Sequence, residues 1–351
     1  MDSDRDAPQG GGEAARRLRH GLIVLAMLVA IVIGLLLGVP GLHSVAHTVT
    51  QMSGGWVAVA VGLEILSCLG YVLAFLQVFE RAPIRFGARV ALSELAFNAA
   101  VSLGGVSSVA MGGWLLVERG APLGRVAERS AVLFLLTSAI NVITFAVVGF
   151  ALFAGVSGPS DPLLSILPAG VGTAVLVLVL LMPRALDRGL ETRLPGRLQQ
   201  LMHGTAESIR DTEQLLFRPD WRLVGAIAYL WCDIAVLYAC FEALGSDPPL
   251  APIVLAYQIA YLSNSIPVPG GIGALDGSLV GMLVVYGMTA TTATAATLVY
   301  HAISLWIPAM WGTIAFLVLR HTRREPLELR PTRAERRRIR SSRRDAPAEA
   351  A

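Results

Sequence analysis

The sequence contains no lysine, so all 28 basic residues are arginines. This absence excludes Schiff-base lysine chemistry and any phosphate-binding loop that depends on a lysine. Cysteine is nearly as scarce, because Cys68, Cys232 and Cys240 stand alone in apolar segments and predict neither a disulfide framework nor a metal cluster. His43 and His47 have no third ligand nearby, so no metal site is expected there.

Charge of either sign is also rare in this chain. Only 15% of the residues are charged, against roughly 25% in soluble domains, while 54% are hydrophobic. Lipid leaves backbone groups unsatisfied unless the chain is helical, so this composition predicts an all-α, polytopic integral membrane protein. The loops contain no nucleotide-binding motif, and neither a cofactor nor a nucleic-acid partner is expected.

Six apolar segments are long enough to be full membrane spans, because about 20 residues of helix cross a ~30 Å hydrocarbon core. Arginines precede the first segment, as in a signal peptide. Its length and the apolar segment that follows favour an uncleaved signal-anchor helix instead. The predicted spans are residues 21–40, 53–79, 130–154, 163–183, 223–244 and 291–319.

The arginines fix the predicted orientation, because basic residues in short loops are retained on the cytoplasmic face. They form five groups, located before residue 21, at 81–89, at 119–129, at 184–222 and from 320 onward. The connections between these groups contain no arginine. One topology therefore places every arginine inside, with both termini on the cytoplasmic side of the cell membrane.

The segment 95–117 is apolar but has arginines on both flanks, which a single crossing would place on opposite sides. We predict a re-entrant hairpin that enters and leaves from the cytoplasmic side. Its breaks are expected at Gly104-Gly105 and Gly112-Gly113, with Ser102, Ser107 and Ser108 nearby. Two short full crossings joined by a turn are an alternative, because the chain then emerges on the same side.

A second interrupted segment covers residues 252–287 and is predicted to enter from the opposite side. Its break is the run Pro267-Val268-Pro269-Gly270-Gly271-Ile272-Gly273. Proline and glycine together stop a helix, which leaves two arms of about 15 residues, or ~22 Å each. Such arms are short for a full crossing.

The order of spans and hairpins predicts an inverted repeat, with one copy at about 21–154 and the other at about 163–319. Both hairpins share a spacing, since Asn98 precedes Gly104-Gly105, and Asn264 precedes Gly270-Gly271, by the same five intervening residues. Each preceding span also contains an acid, Glu64 in the first copy and Asp233 in the second. The repeats together form one predicted transmembrane domain over residues 21–319.

Three polar segments complete the predicted domain organisation. Residues 1–20 form a cytoplasmic N-terminus, and residues 184–222 form a cytoplasmic loop whose leucines alternate with charges, as in an interfacial amphipathic helix. Residues 320–351 form an arginine-rich tail. The tail is either attracted to anionic lipid headgroups or a disordered, solvated segment.

Broken helices place free amide ends at membrane depth, where they bind anionic groups and mark transport sites. Close helix packing at small residues is the alternative explanation for the glycines. Glu64 and Asp233 each cost at least about 2.5 kcal/mol at the bilayer centre, so they either handle substrate or protons or pair with a neighbouring helix. Glu94 and Asp276 either line the same cavity or cap helix ends.

Two basic side chains are further candidates. Arg129 opens the span after the first hairpin, and arginine makes bidentate contacts with phosphate, so it is either a headgroup ligand or a cytoplasmic anchor. His301 follows Tyr300 in the last span and either moves a proton, donates to a headgroup or is a hydrogen-bonded interior histidine.

The stretch Leu262 to Gly277, with Pro-x-Pro-Gly-Gly-x-Gly followed by Asp276, resembles the flippase-like family. These are the transmembrane domains of lysylphosphatidylglycerol synthases and their stand-alone relatives. Tyr300 and the run Trp306-Ile307-Pro308 are similar as well, and the resemblance covers about residues 20–320. The family commonly has glutamate at the acidic position and arginine after the tyrosine, where this chain has Asp276 and His301.

The resemblance implies translocation of a phospholipid or polyprenyl-linked lipid between leaflets. In relatives that synthesise an aminoacylated lipid, the resemblance also implies a separate soluble domain. The tail of this chain leaves no room for such a domain, so enzymatic activity is not expected. The expected translocation site consists of Glu64, Glu94, Asn98, Gly104, Gly105, Arg129, Asp233, Asn264, Pro267, Pro269, Gly270, Gly271, Gly273, Asp276, Tyr300 and His301.

Two other functions stay open at this point. The chain is alternatively a membrane-embedded transferase that uses Glu64, Asp233 or Asp276 as a base on a lipid-linked substrate. It is alternatively a subunit of a partner enzyme, or a homo-oligomer, that binds such lipids without moving them.

Overall fold

The computed structural model describes residues 47–79, 82–100, 106–156, 162–187, 208–213, 223–263 and 274–321. Helices dominate these residues, and no strand occurs among them. Those of twelve residues or more are α1 (Gly54–Val78), α2 (Ile84–Ala100), α3 (Val106–Glu118), α4 (Leu123–Phe153), α5 (Pro162–Asp187), α6 (Leu223–Ala243), α7 (Leu250–Ser263), α8 (Ala274–Val285) and α9 (Ala290–His321).

Five of these helices, α1, α4, α5, α6 and α9, are long and apolar enough to cross a membrane. The shortest of them, α6, has 21 residues, and at 1.5 Å per residue it spans about 32 Å. The protein is therefore an all-α polytopic membrane protein, as its composition predicts. The predicted first span, 21–40, and the polar segments 1–20 and 322–351 lie outside the described residues.

The other four helices form two adjacent pairs, α2 with α3 and α7 with α8. They contain 17, 13, 14 and 12 residues, so each is between about 18 and 25 Å long and shorter than the hydrocarbon core. In the second pair α7 ends at Ser263 and α8 begins at Ala274, and the predicted break falls between these two residues. The interrupting residues themselves lie outside the described part of the chain.

The first pair differs from the prediction at its start and at Gly112-Gly113, which was expected to break the helix but lies inside the continuous helix α3. Helix α2 begins at Ile84, eleven residues before the expected limit of 95. Arg85 and Arg89 lie in its first turns, and these charges hide the helix from a search for apolar segments. As a consequence Glu94 is in the middle of a buried helix and not at the mouth of the hairpin, where the sequence places it.

Helices α1 and α6 make the most extensive contact in the bundle and run antiparallel to each other. The Ser67 hydroxyl donates to the Tyr229 carbonyl oxygen at 2.8 Å. Nearer the end of α1, Gly70 lies against the backbone of Gly225. Small residues let the two backbones approach closely, which is the usual way helices associate in membranes.

Two further contacts are reciprocal between the two halves of the chain. Helix α9 packs on α2 of the first pair, and α4 packs on α7 of the second pair. Such an exchange is what an inverted repeat would produce, and the repeat itself stays a prediction. At one end of the bundle the Arg119 guanidinium donates to the Leu319 carbonyl oxygen at 3.1 Å. At the opposite end the Ser53 amide donates to the Ala243 carbonyl oxygen at 2.8 Å.

Part of the predicted cytoplasmic loop 184–222 packs back on the end of α5. Arg184 lies 3.5 Å from a carboxylate oxygen of Glu213, and the Arg210 guanidinium donates to the Pro183 carbonyl oxygen at 3.4 Å. Residues 208–213 are helical and residues 184–187 continue α5, while 188–207 and 214–222 lie outside the described residues.

Candidate functional site

A polar cavity of about 140 Å³ lies between seven of the helices, α1, α2, α4, α6, α7, α8 and α9. The facing ends of both interrupted pairs reach it, through Asn98 near the end of α2, Tyr261 near the end of α7 and Leu275 at the start of α8. Its polar lining consists of Glu64, Ser67, Cys68, Asn98, Asn141, Tyr229, Asp233, Tyr257, Tyr261, Tyr300, His301 and Ser304.

Asp233 of α6 joins three helices at this cavity. The hydroxyl groups of Tyr257 on α7 and Tyr300 on α9 both donate to its Oδ2 atom, the latter at 3.1 Å. The two tyrosine rings meet edge to face, with their centroids 6.3 Å apart. The other carboxyl oxygen, Oδ1, is buried and has no hydrogen-bond partner among the described residues.

Glu64 of α1 stands beside Asp233, close enough for the two carboxyl groups to interact. This proximity follows from the antiparallel crossing of α1 and α6. The side chain is 4% exposed, and its Oε1 atom is 3.7 Å from the Cys68 thiol. Its Oε2 atom is buried with no hydrogen-bond partner in the described structure.

His301 is the basic side chain in the lining, and it connects the last helix to the second interrupted pair. Its Nδ1 atom lies 3.0 Å from Oδ1 of Asp276, which is in the first turn of α8. This contact is an ion pair when the imidazole is protonated. An acid in the first turn is also stabilised by the positive end of the helix dipole.

The cavity contains five of the sixteen residues that the sequence predicts for the site: Glu64, Asn98, Asp233, Tyr300 and His301. Asp276 is adjacent through His301. Glu94 does not line the cavity, because its carboxylate is buried and accepts a 2.8 Å hydrogen bond from the Tyr71 hydroxyl. Arg129 lies half-buried on α4 and is not in the lining either. Outside the described residues are Gly104, Gly105, Asn264, Pro267, Pro269, Gly270, Gly271 and Gly273.

Sequence reasoning missed most of the aromatic and amide groups of the cavity. Tyr229, Tyr257 and Tyr261 line it, as does Asn141, and none of them was expected. With Tyr300, four of the seven tyrosines in the sequence face this one cavity. The available signal was weak, because tyrosines in membrane helices more often mark the water interface.

The fold and the cavity define a polytopic membrane protein with a polar centre between interrupted helices. The sequence matches the family described as the lysylphosphatidylglycerol synthase TM region over residues 22–312, and the chain belongs to this family. The family resemblance noted from the sequence is thereby confirmed.

The chain is also similar to three proteins of Methanothermobacter thermautotrophicus, each described as a UPF0104 membrane protein. One is 36% identical over 88 residues, which cover 24% of this chain and 25% of that relative. The second is 29% identical over 124 residues, covering 34% and 37%, and the third is 30% identical over 79 residues, covering 22% and 24%. The chain thus matches between about a quarter and a little over a third of these relatives' lengths.

Proposed function

We propose that the protein moves a phospholipid or a polyprenyl-linked lipid between the two leaflets of the membrane. The headgroup passes through the polar cavity, while the acyl or prenyl chains stay in the surrounding lipid. The observation that carries this proposal is the cavity itself, which joins both interrupted helix pairs to the buried acids Glu64 and Asp233. Paired discontinuous helices around a central polar site are the usual arrangement of secondary transporters.

The chemistry of the lining supports a headgroup path. A buried acid in a membrane helix requires a functional or structural reason, because lipid solvates charge poorly. The Tyr257 and Tyr300 hydroxyls donate to one oxygen of Asp233, and this carboxyl group and the neighbouring Glu64 both line the cavity. Carboxylates with tyrosines bind the hydroxyl and amino groups of headgroups. Outside the cavity, Arg129 stays our candidate for binding the phosphate of the headgroup.

We propose that the cavity widens during transport. Its volume of about 140 Å³ is below the roughly 300–1,000 Å³ of pockets that enclose small molecules. A headgroup therefore requires the interrupted pairs to move apart. We propose that the α2–α3 pair opens the cavity to one leaflet and that the α7–α8 pair opens it to the other.

The proposal is tested with the purified full-length chain in liposomes that contain a lipid with a fluorescent headgroup. Dithionite added outside bleaches only the outer leaflet, so translocation lowers the protected half of the fluorescence. We expect Asp233→Asn to slow this loss by about tenfold, since hydrogen bonds to charged groups contribute about 1.5–3 kcal/mol. Asp247→Asn is the matched control, because Asp247 also accepts a tyrosine hydrogen bond, from Tyr238, but is exposed at the end of α6.

Unchanged protection with phospholipid and polyprenyl-linked probes alike would contradict the proposed function. Equal rates in Asp233→Asn and in the unsubstituted protein would contradict the assignment of the cavity as the path. In that case a route outside the cavity, past Arg129, becomes the candidate.

A further inference from the structure

The two acids of the cavity come from helices that the sequence assigns to opposite halves of the chain. Glu64 is on α1 and Asp233 is on α6, and the close crossing of these helices brings their carboxyl groups together. Glu64 is 4% exposed and lines the cavity together with Asp233, and its Oε2 atom is buried. The arrangement is a buried acidic pair at the wall of the cavity.

No arginine lines the cavity in the described structure, so no permanent positive charge offsets the pair there. On α9, His301 is the basic group, and it already contacts Asp276. On the helices of the acids themselves, Cys68, Tyr229 and Cys232 are the neighbouring titratable groups. Thiols and phenols have reference pKa values above neutral and bring no positive charge.

The cavity-lining residues of the other packed helices add no permanent positive charge near the acidic pair. Helix α7 contributes the phenols of Tyr257 and Tyr261, and α9 adds the phenol of Tyr300. Helices α2 and α4 contribute the neutral amides of Asn98 and Asn141. Among the described residues, two negative charges in contact would therefore face a thiol, hydroxyls, amides and one histidine.

A second ionised carboxylate in this position is costly, because both the lost hydration and the repulsion between like charges oppose it. One bound proton removes half of the charge and lets one carboxyl group donate to the other. The cavity has room for several water molecules, which can bring a proton to the carboxyl pair in its wall and remove it again. It has no room for a whole headgroup at the same time.

We propose that Glu64 and Asp233 form one proton-binding site that couples lipid movement to the proton gradient. This inference rests on the proposed function and adds its driving force. The proton enters from water on one side, binds to the carboxyl pair and leaves to water on the other side after the hairpins have exchanged access. One proton moves for each lipid.

The test uses the same liposomes with a pH difference of about one unit across the membrane. One proton per lipid shifts the steady-state distribution of the probe by about tenfold, from an even distribution to about ten to one. The direction of this shift relative to the pH difference distinguishes symport from antiport. A pH-sensitive dye trapped inside should report proton flux that depends on the lipid.

Glu64→Gln and Asp233→Asn should each abolish both the shift and the flux, whereas Asp247→Asn should retain them. A translocation rate that persists in Glu64→Gln without any response to the gradient would support coupling through this pair. Infrared spectra in detergent provide a measurement without transport, because the carbonyl stretch of the shared protonated carboxyl should disappear in both cavity variants.

The outcomes separate the two proposals. If the probe moves but its distribution ignores the pH difference, the coupling is wrong and the proposed function stands. If a sodium gradient at equal pH drives the shift instead, the pair binds a metal cation and the proton assignment is wrong. If no probe moves in any condition and the infrared band is absent, both proposals fail.

Discussion

Gly70 of α1 lies directly against Gly225 of α6. A Cβ atom on Gly70 would be 2.7 Å from the Gly225 carbonyl oxygen and 2.6 Å from the Tyr229 amide nitrogen. A Cβ atom on Gly225 would in turn be 2.8 Å from the Gly70 carbonyl oxygen. All of these neighbours are backbone atoms, so they cannot yield unless the helices separate. This crossing is what holds Glu64 beside Asp233.

We therefore expect Gly70→Ala to destabilise the protein by about 1–3 kcal/mol, the usual cost of overpacking, and to lower its melting temperature in detergent. Gly62→Ala is the matched control on the same helix, because nothing lies within 4 Å of a Cβ atom there. Equal melting temperatures for the two variants would show that the crossing is looser than the structure indicates. Gly70→Ala should also reduce lipid translocation by moving Glu64 away from Asp233.

The first interrupted pair contains a second close contact, between Gly112 of α3 and the Glu94 side chain of α2. A Cβ atom on Gly112 would be 1.5 Å from Glu94 Oε1 and would displace the carboxylate from its hydrogen bond with Tyr71. We expect Gly112→Ala to cost about 1–3 kcal/mol, measured by thermal unfolding, because the displaced carboxylate is buried. Gly113→Ala should be nearly neutral, since its nearest neighbour, Val126, is at 3.5 Å.

A double substitution tests whether Glu94 is the cause. In a Glu94→Ala background the carboxylate is gone, so Gly112→Ala should cost little further stability. The difference between the two costs is the coupling energy of this contact. An unchanged cost in both backgrounds would assign the effect of Gly112→Ala to another neighbour.

The tyrosine hydrogen bonds of the cavity give a prediction about activity. Tyr300→Phe removes one of the two hydroxyl donors to Asp233 and keeps the ring in place. The loss of about 0.5–1.5 kcal/mol should slow translocation by roughly two- to tenfold. Tyr238→Phe removes a similar hydrogen bond, to the exposed Asp247, and should leave the rate unchanged. A larger effect in Tyr238→Phe would argue against a path through the cavity.

The fold was largely predictable because long apolar segments have one stable solution in lipid. Helices α4, α5 and α9 begin and end close to the predicted spans, although α4 begins seven residues earlier, at Leu123 and not at 130. Arg125 and Arg129 lie in that extension, as Arg85 and Arg89 do in α2. Hydropathy finds the part of a helix that lies in lipid, but not the polar turns that continue it.

Part of the site was predictable, since Asn98, Tyr300 and His301 line the cavity together with the two acids. Glu64 and Asp233 stood out because an acid in an apolar span is costly, and both line the cavity. Glu94 was expected at the mouth of the first hairpin, but it packs against Tyr71 and Gly112. Whether such an acid lines the cavity or packs against another helix depends on the side of its own helix that it occupies. Contacts between helices that are distant in sequence decide which side faces the cavity.

The two ends of the bundle give a prediction about sidedness. Leu123 starts α4 near the Arg119–Leu319 contact, and its side chain is 70% exposed. Asp247 is exposed beyond α6, near the Ser53–Ala243 contact at the opposite end. In a variant whose native cysteines are replaced by alanine, Asp247→Cys should react with an impermeant maleimide added to intact cells.

Leu123→Cys should react only after the membrane is permeabilised, because the arginines around it are predicted to remain inside. If Leu123→Cys reacted in intact cells and Asp247→Cys only after permeabilisation, the two ends would still lie on opposite sides, but the predicted orientation would be wrong. Labelling of both positions from one side would contradict the arrangement of the helices, since α1 and α4 each span the distance between these ends. It would also remove the basis for a cavity that opens alternately to two leaflets.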